Sequence, residues 1–217
     1  MSHTASLVWI TPDAEELLVR IARVSNPQGD TKPAPHLIRY MIEHGHVSPF
    51  EMVNLCIEVE TTRDIGRQML RHWSMRPQEF SQRYADVARL GEPIWREARM
   101  QHPSNRQASA PCEDTSLETW WNHAQRQVWT KADAAYQMAL ELGIAKEVAR
   151  AVLPEGLTPS RLYFNANLRS AIHFCQARTI EAGAQTEIVR IAGDVRGIIA
   201  EHFPQTSEAL GWQKSND

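Results

Sequence analysis

The chain has 217 residues, a formal net charge of −3 and 42% hydrophobic residues. That is enough apolar material for a packed core and against disorder, and the charge gives no broad basic surface for a nucleic acid polymer. The three cysteines, Cys56, Cys112 and Cys175, are scattered and form no C-x-x-C pair, which excludes a disulfide framework or thiolate zinc site and points to a reducing cytoplasm.

Cys56 and Cys175 fall on apolar stretches and are read as small core residues. No apolar run approaches the ~20 residues of a membrane helix. The opening MSHTASLVWI lacks the basic-then-apolar pattern of a secretory leader.

In chain order, residues 7–10 read as a short strand. Thr11 is the expected N-cap of a helix with Pro12 at its first position and Asp13, Glu15 and Glu16 complementing the helix dipole. That helix ends near 25–27, and a polar loop with one glycine and three prolines covers 27–35. A second helix over 35–44 buries Leu37, Ile38, Met41 and Ile42 and stops at Gly45. His44 and His46 alternate in HGHVSPFE. With no third ligand at close spacing they are read as a polar rim, not a metal pair.

Residues 52–62 give the clearest strand. Val53, Leu55, Ile57 and Val59 share one face, while Asn54, Cys56, Glu58 and Glu60 share the other. Half-burial of this kind favours an antiparallel sheet with helices on one side. Thr61 or Thr62 then caps a helix over 63–72, with Ile65, Met69 and Leu70 inward. From its end leaves QMLRHWSMRPQEFSQRY, residues 68–84, rich in arginine and carrying His72, Glu79, Ser74 and Ser81. Polar groups on a loop behind rigid elements tend to bind or catalyse, and the arginine fork matches phosphate or carboxylate.

Residues 91–116 are polar, contain Pro93, Pro103 and Pro111, and show no periodicity. They read as a lid or an interface arm. A long helix over 117–142 is expected to bury Trp120, Trp121, Ala124, Val128, Ala132, Ala135 and Ala139. A short helix over 145–153 ends at Pro154, and 157–168 reads as a strand with a turn. Helices follow over 169–179 and 185–203, with Pro204 ending the last. There are no internal repeats. The expected fold class is α+β: an antiparallel sheet flanked by helices, with a long helical excursion, in a single domain over 1–217.

No G-x-G-x-x-G, G-x-x-x-x-G-K-[ST] or G-x-S-x-G pattern is present, so a Rossmann fingerprint, a P-loop and a nucleophile elbow have no support. What recurs is arginine beside apolar elements: Arg71, Arg83, Arg150, Arg169 and Arg178. Two explanations stand open on spacing alone. One is an anion site. The other is ion pairing with Glu79, Glu147, Glu181 or Glu187.

Arg71-His72-Trp73, then seven residues, then Ser81 and Arg83-Tyr84 resembles the motif of the flavin-dependent thymidylate synthases. That motif reads Arg-His-Arg, seven residues, Ser, and closely after it Arg-Tyr. ARVS at 22–25, HGHVSPFE at 44–51, AKEVARAVLP at 145–154, SRLYFNANLRSAIHF at 160–174, Arg178 and Gln185-x-Glu187 also look like family segments in family order. The resemblance covers roughly residues 5–212.

It implies FAD, with NADPH and methylenetetrahydrofolate as cosubstrates, dUMP as the pyrimidine, dTMP as product and a homotetramer with shared sites. It places Gln68, Arg71, Ser81, Gln82 and Arg83 on dUMP, with Arg150 at the phosphate. Arg178 is the implied catalytic cation at the uracil edge. Ser48, Arg71, His72, the position of Trp73, Asn167, Arg169 and His173 fall to FAD, and Glu79 to both ligands. Ser81 is assigned to binding, not to nucleophilic attack. Three departures stand out. Trp73 replaces the third motif residue, usually Arg. Arg76 and Gln78 stand where Ser and Asn are frequent. The segments 154–161 and 178–185 are each one residue longer than usual. A flavin- and folate-dependent pyrimidine nucleotide hydroxymethylase and a silent nucleotide-binding paralogue are the alternatives.

Overall fold

The alternation in residues 52–62 places the centre of the sheet. In a computed structural model, which describes residues 3–25 and 33–212, Leu55, Ile57 and Val59 of strand β2 (Asn54–Thr62) are buried and the residues between them are not. The polar loop expected over 27–35 lies mostly outside the described residues, as does the junction after residue 25. β2 pairs antiparallel with β1 (Thr4–Ile10) on one side and β6 (Pro159–Asn167) on the other. Strand β3 (Arg76–Glu79) then pairs antiparallel with β6, giving the order β1-β2-β6-β3. Ile57 lies opposite both Leu7 and Phe164, so the apolar sets of these strands meet on one face. The other face carries Glu58, Glu60, Arg161 and Tyr163. There Arg161 pairs with Glu60 at 2.5 Å and Glu58 at 3.1 Å, and the Tyr163 hydroxyl donates to Glu58 at 2.9 Å.

Helices α1 (Ala14–Ala22), α2 (Ala34–Glu43), α3 (Arg63–Leu70), α6 (Leu168–Ala177) and α7 (Thr186–His202) supply the rest of the main core. Leu18, Ile38, Met69, Phe174 and Val195 contribute to it with essentially no exposure. Truncating one such side chain to alanine costs about 2–5 kcal/mol. A smaller cluster of Val87, Tyr136, Ala149 and Leu153 ties the long helix α4 (Thr115–Glu141) to the short α5 (Lys146–Ala149). A hairpin, β4 (Arg99–Gln101) with β5 (Ser109–Pro111), and the short α8 (Pro204–Ala209) complete the elements. Among the described residues no helix is long and apolar enough to cross a membrane.

The α+β class with an antiparallel sheet stands, but several local expectations are corrected. Thr11 does not cap α1. Its hydroxyl donates to the Asn54 carbonyl at 3.2 Å and accepts from the Asn54 amide at 2.9 Å, joining β1 to β2, and Asp13 at φ 50° takes the N-cap position. β3 lies in the segment expected to be a loop; Pro77 cannot donate to a ladder, but an edge strand tolerates it. The excursion holds the β4–β5 hairpin. Leu70 faces outward, and Cys56 lies half-buried on the polar face of β2 instead of in the core, whereas Cys175 is buried. Only Gln125 and Tyr136 of α4 are buried. Trp120 is 60% and Val128 53% exposed, because in the single chain only one edge of α4 meets the rest of the fold. Pro204 ends α7 as expected but also opens α8 at its first position.

The excursion is also bolted down by charge. The Arg96 guanidinium donates to both Asp64 carboxylate oxygens, at 2.7 and 2.9 Å, to the Thr62 hydroxyl at 2.6 Å and to the Gly156 carbonyl at 3.2 Å. Arg96 and Arg99 both pair with Glu187, at 3.2 and 2.5 Å. Burial pushes the Glu187 carboxyl up, but the hydrogen bond and charge of Arg99, with the first-turn amide and Arg96, outweigh it and hold it at about 2. This network fixes the N-terminal ends of α3 and α7.

Candidate active site

Helix α3 ends at Leu70, so its last carbonyls lack intrahelical partners. One of them, the carbonyl of Gln68, accepts from Arg178 Nη2 at 3.3 Å. Arg178 Nε donates to His72 Nε2 at 3.0 Å. Arg178 is not on a helix, as the sequence suggested. It is the C-cap of α6 at φ −117°, ψ 63°, just where the chain leaves toward α7. The His72 ring stands edge-on to Phe174, centroids 5.1 Å apart, and 6.1 Å from the His173 ring. Burial, then the charges of Arg178, His173 and Arg71, hold His72 at about 4, so it is neutral near pH 7. Burial and Arg71 lower Arg178 from its usual value, which leaves it a cation. Gln68, Arg71, His72, His173 and Arg178 therefore form one cluster. Glu187 is engaged by Arg96 and Arg99, and no carboxylate among the described residues pairs with Arg178 or Arg71.

A cleft of about 670 Å³ opens beside this cluster, sharing His173 as a wall. Trp73, Asn167 and Arg169 line it, together with Phe50, Glu51, Ser74, Arg76 and aliphatic side chains from α2, α6 and residue 210. Asn167 caps α6, its side-chain oxygen accepting from the Ser170 amide at 2.8 Å. Arg169 bonds Glu51. Arg76 donates to the Trp73 carbonyl at 3.0 Å and has no carboxylate partner among the described residues. Trp73 is 80% exposed, so it is no core residue. Ser48 is exposed at the start of the short turn that carries Phe50 and Glu51. Apolar walls with cations at the rim suit a flat aromatic ring joined to a diphosphate, so these residues fit a flavin dinucleotide.

The remaining expected residues lie apart. Ser81 and Arg83 are exposed in the turn after β3, where Arg83 pairs with Glu147 at 2.9 Å. Arg150 is half-buried just beyond α5, three residues after Glu147. Glu79 accepts from the Ser160 hydroxyl at 2.8 Å and pairs with Arg63 at 3.3 Å, so its partners are on β6 and α3. Gln82 is only 3% exposed and its side-chain nitrogen has no hydrogen-bond partner among the described residues. No hydrogen bond or ion pair among the described residues joins Ser81, Arg83 or Arg150 to the Arg178 cluster. Ion pairing thus accounts for Arg83 and Arg169, and for neither Arg71 nor Arg178. Sequence reasoning marked Arg76 as a departure from the family motif but passed over Glu51 and Gln185 as site residues. Glu51 and Gln185 stand in segments already singled out, but the contacts that place them at the site are long-range.

The sequence profile described as thymidylate synthase complementing protein matches residues 6–205. A probable flavin-dependent thymidylate synthase of Paramecium bursaria Chlorella virus 1 is 40% identical over 214 residues, covering 98% of this chain and 97% of its own. A flavin-dependent thymidylate synthase of Synechocystis sp. is 42% identical over 198 residues, covering 91% and 90%. Among solved structures, the UMP/dUMP methylase PolB of Streptomyces cacaoi bound with 5-Br UMP superposes with a TM-score of 0.85 at 28% identity, covering 97% of this chain and 95% of its own.

Proposed function

The chain belongs to the flavin-dependent thymidylate synthase family, and from that premise we propose a site assignment for the reductive methylation of dUMP to dTMP with methylenetetrahydrofolate and NADPH. Trp73, Asn167, Arg169 and His173 would hold FAD in the cleft, and bound there it would relay the reducing equivalents of NADPH. The carrying observation is Arg178, a cation whose partners among the described residues are all neutral, at the mouth between α3 and α6.

Methylation at a uracil carbon requires electron density at that carbon, and negative charge gathers on the ring edge as it reacts. A fixed cation facing that edge lowers the barrier as an oxyanion hole does. Arg178 is that cation in this reading. Gln68 and Arg71 stand beside it to orient the pyrimidine nucleotide. Ser81, Gln82, Arg83 and Arg150 bind its sugar and phosphate, while Glu79 braces the turn that carries Ser81, Gln82 and Arg83. Ser48 and His72 border the flavin. The names of the relatives favour methylation over hydroxymethylation and over a silent paralogue.

The separation of Ser81, Arg83 and Arg150 from the Arg178 cluster supports sites shared between subunits, and we assign a homotetramer. Exposed Trp120, Val128 and Met138 of α4, with Leu142 after it, offer apolar contact surface. The three free cysteines support a cytoplasmic setting. Product analysis tests the activity: FAD-loaded protein given dUMP, methylenetetrahydrofolate and NADPH forms dTMP. Flavin oxidation without dTMP, or hydroxymethyl-dUMP as product, would overturn the assignment.

A further inference from the structure

An arginine that stabilises charge in a transition state must be oriented without being neutralised. Most well-ordered arginines are fixed by a carboxylate, which supplies geometry and cancels charge in the same contact. Arg178 is fixed differently. Its two protein acceptors are an imidazole nitrogen and a peptide carbonyl, both uncharged.

We propose that His72 is the positioning residue of Arg178: its neutral ring accepts the Nε proton and, with the Gln68 carbonyl, sets the guanidinium plane while leaving its charge intact. The proposal rests on the reading of Arg178 given above and adds to it a reason for the histidine.

The hydrogen-bond chemistry fixes the ring state. Guanidinium nitrogens only donate, so the Nε2 of His72, 3.0 Å away, carries the lone pair and Nδ1 carries the proton. Protonating Nε2 would set two donors and two cations face to face. The charged and titratable neighbours are Arg178, Arg71 and His173, and all three oppose that protonation. The ring itself is held by its edge-on contact with Phe174, a fully buried residue of α6. One and the same helix thus carries Phe174, which orients His72, and ends at Arg178, which His72 orients.

Arg178 needs such a hold. It lies past the last turn of α6 with no backbone cap bond, and a long side chain there has several rotamers to lose. One Nη2 proton goes to Gln68. Among the described residues Nη1 has no protein partner, so a terminal edge of the fork remains for a ligand.

The test crosses His72 variants with Arg178→Ala. It measures flavin retained on gel filtration, dUMP affinity of the FAD-loaded protein, and dTMP formed in a single turnover. His72→Phe keeps a ring against Phe174 but no acceptor, and should cut dTMP formation about ten- to a hundredfold, the usual weight of a hydrogen bond to a charged group. His72→Gln offers an amide oxygen and should recover most of that loss. His72→Glu also offers an acceptor but neutralises the cation, and should fall below His72→Gln. On the Arg178→Ala background His72→Phe should add little, since residues acting through one another are not additive. Equal factors on both backgrounds, or loss of flavin as the whole defect, would overturn the positioning role. If His72→Phe does not fold, the order of His72→Gln above His72→Glu decides. Wild-type protein that forms no dTMP counts against the functional reading instead, before any His72 variant is compared.

Discussion

The side-chain amide of Gln68 donates to the side-chain oxygen of Gln185 at 2.8 Å, while the backbone carbonyl of Gln68 accepts from Arg178 at 3.3 Å. Gln185 is the N-cap of α7 and Arg178 the C-cap of α6. A single residue in the last turn of α3 therefore grips both ends of the 178–185 connection. That connection is one residue longer than the family resemblance leads one to expect. Its ends are nonetheless fixed against the helix that the Arg96, Asp64 and Glu187 network holds from the other side. Precision at Arg178 comes from this bracketing, since the cap residue has no helical hydrogen bonds of its own.

FAD uptake is the first expected outcome. The cleft beside His173 joins apolar walls from Phe50, Ile172 and Leu210 to the cations Arg76 and Arg169. The purified protein should show an oxidised-flavin spectrum, released by denaturation. Protein that is colourless and binds no added FAD would sink the assignment of the cleft.

Trp73→Arg should leave the fold intact. The ring is largely exposed and lines the cleft, so replacing it removes no core contact. Surface changes of this kind fall within about 0.5 kcal/mol of neutral. An aromatic plane and a guanidinium plane can both stack on a ring, but only one is charged, so flavin affinity should change while melting temperature does not. A melting temperature lowered by many degrees in the flavin-free protein would contradict the exposed position.

How far the sequence carried these conclusions depended on range. β2 was readable because Val53, Leu55, Ile57 and Val59 repeat at period two within one segment. The helices around Ile38, Met69 and Ile191 were readable for the same local reason. β3 was not, because Arg76-Pro77-Gln78-Glu79 has no strand propensity and exists only through its partner β6. The buried face of α4 was misjudged because its period shows an apolar side but not what covers it. Arg178 was singled out by its motif, yet its partners lie more than a hundred residues away along the chain. The Arg96 and Arg99 network lay hidden in a segment without periodicity, since a buried ion pair leaves no repeat in the sequence.

Light scattering should report a tetramer. Trp120, Val128 and Met138 are exposed along α4 of the single chain, and among the described residues no hydrogen bond or ion pair joins Ser81, Arg83 or Arg150 to the Arg178 cluster. Both facts are relieved if neighbouring subunits cover α4 and complete the site. A monomer that still turns over dUMP would remove the shared-site argument.

Acid should destabilise the protein in two stages. His3 and His72 are held at about 4, below the ordinary 6.5, His3 by burial and then Arg96. As pH falls through 6.5 the unfolded chain takes up protons that the native state refuses, so stability declines until about pH 4 and then levels for these groups. Glu187, held at about 2 against the ordinary 4.5, gives a second loss between those values. Denaturant midpoints at about pH 7 and about pH 5 should therefore differ, with the lower value at the lower pH. His72→Gln should reduce the difference. Midpoints that are equal, or that rise on acidification, would show that these histidines do not carry it.

Arg178→Ala should separate chemistry from cofactor binding. The residue lies outside the cleft lining, so the variant should keep its FAD and its NADPH-driven flavin reduction. Salt bridges to Glu181 or Glu187 would have made Arg178 a structural residue. Neither is present: Glu187 is taken by Arg96 and Arg99, and among the described residues the Arg178 fork meets only His72 and the Gln68 carbonyl. The expected loss is therefore in the step where charge develops on the pyrimidine, about 3–4 kcal/mol or roughly a hundred- to a thousandfold in rate for one preorganised donor. Arg178→Lys restores a charge but not the planar fork, and it has no Nε–H for His72, so it should recover only part of the rate. Flavin reoxidation in a single turnover with dUMP and methylenetetrahydrofolate reads the step directly. Near-normal reoxidation with dTMP formed by Arg178→Ala would take Arg178 out of the mechanism, and with it the meaning assigned to the neutral histidine at its side.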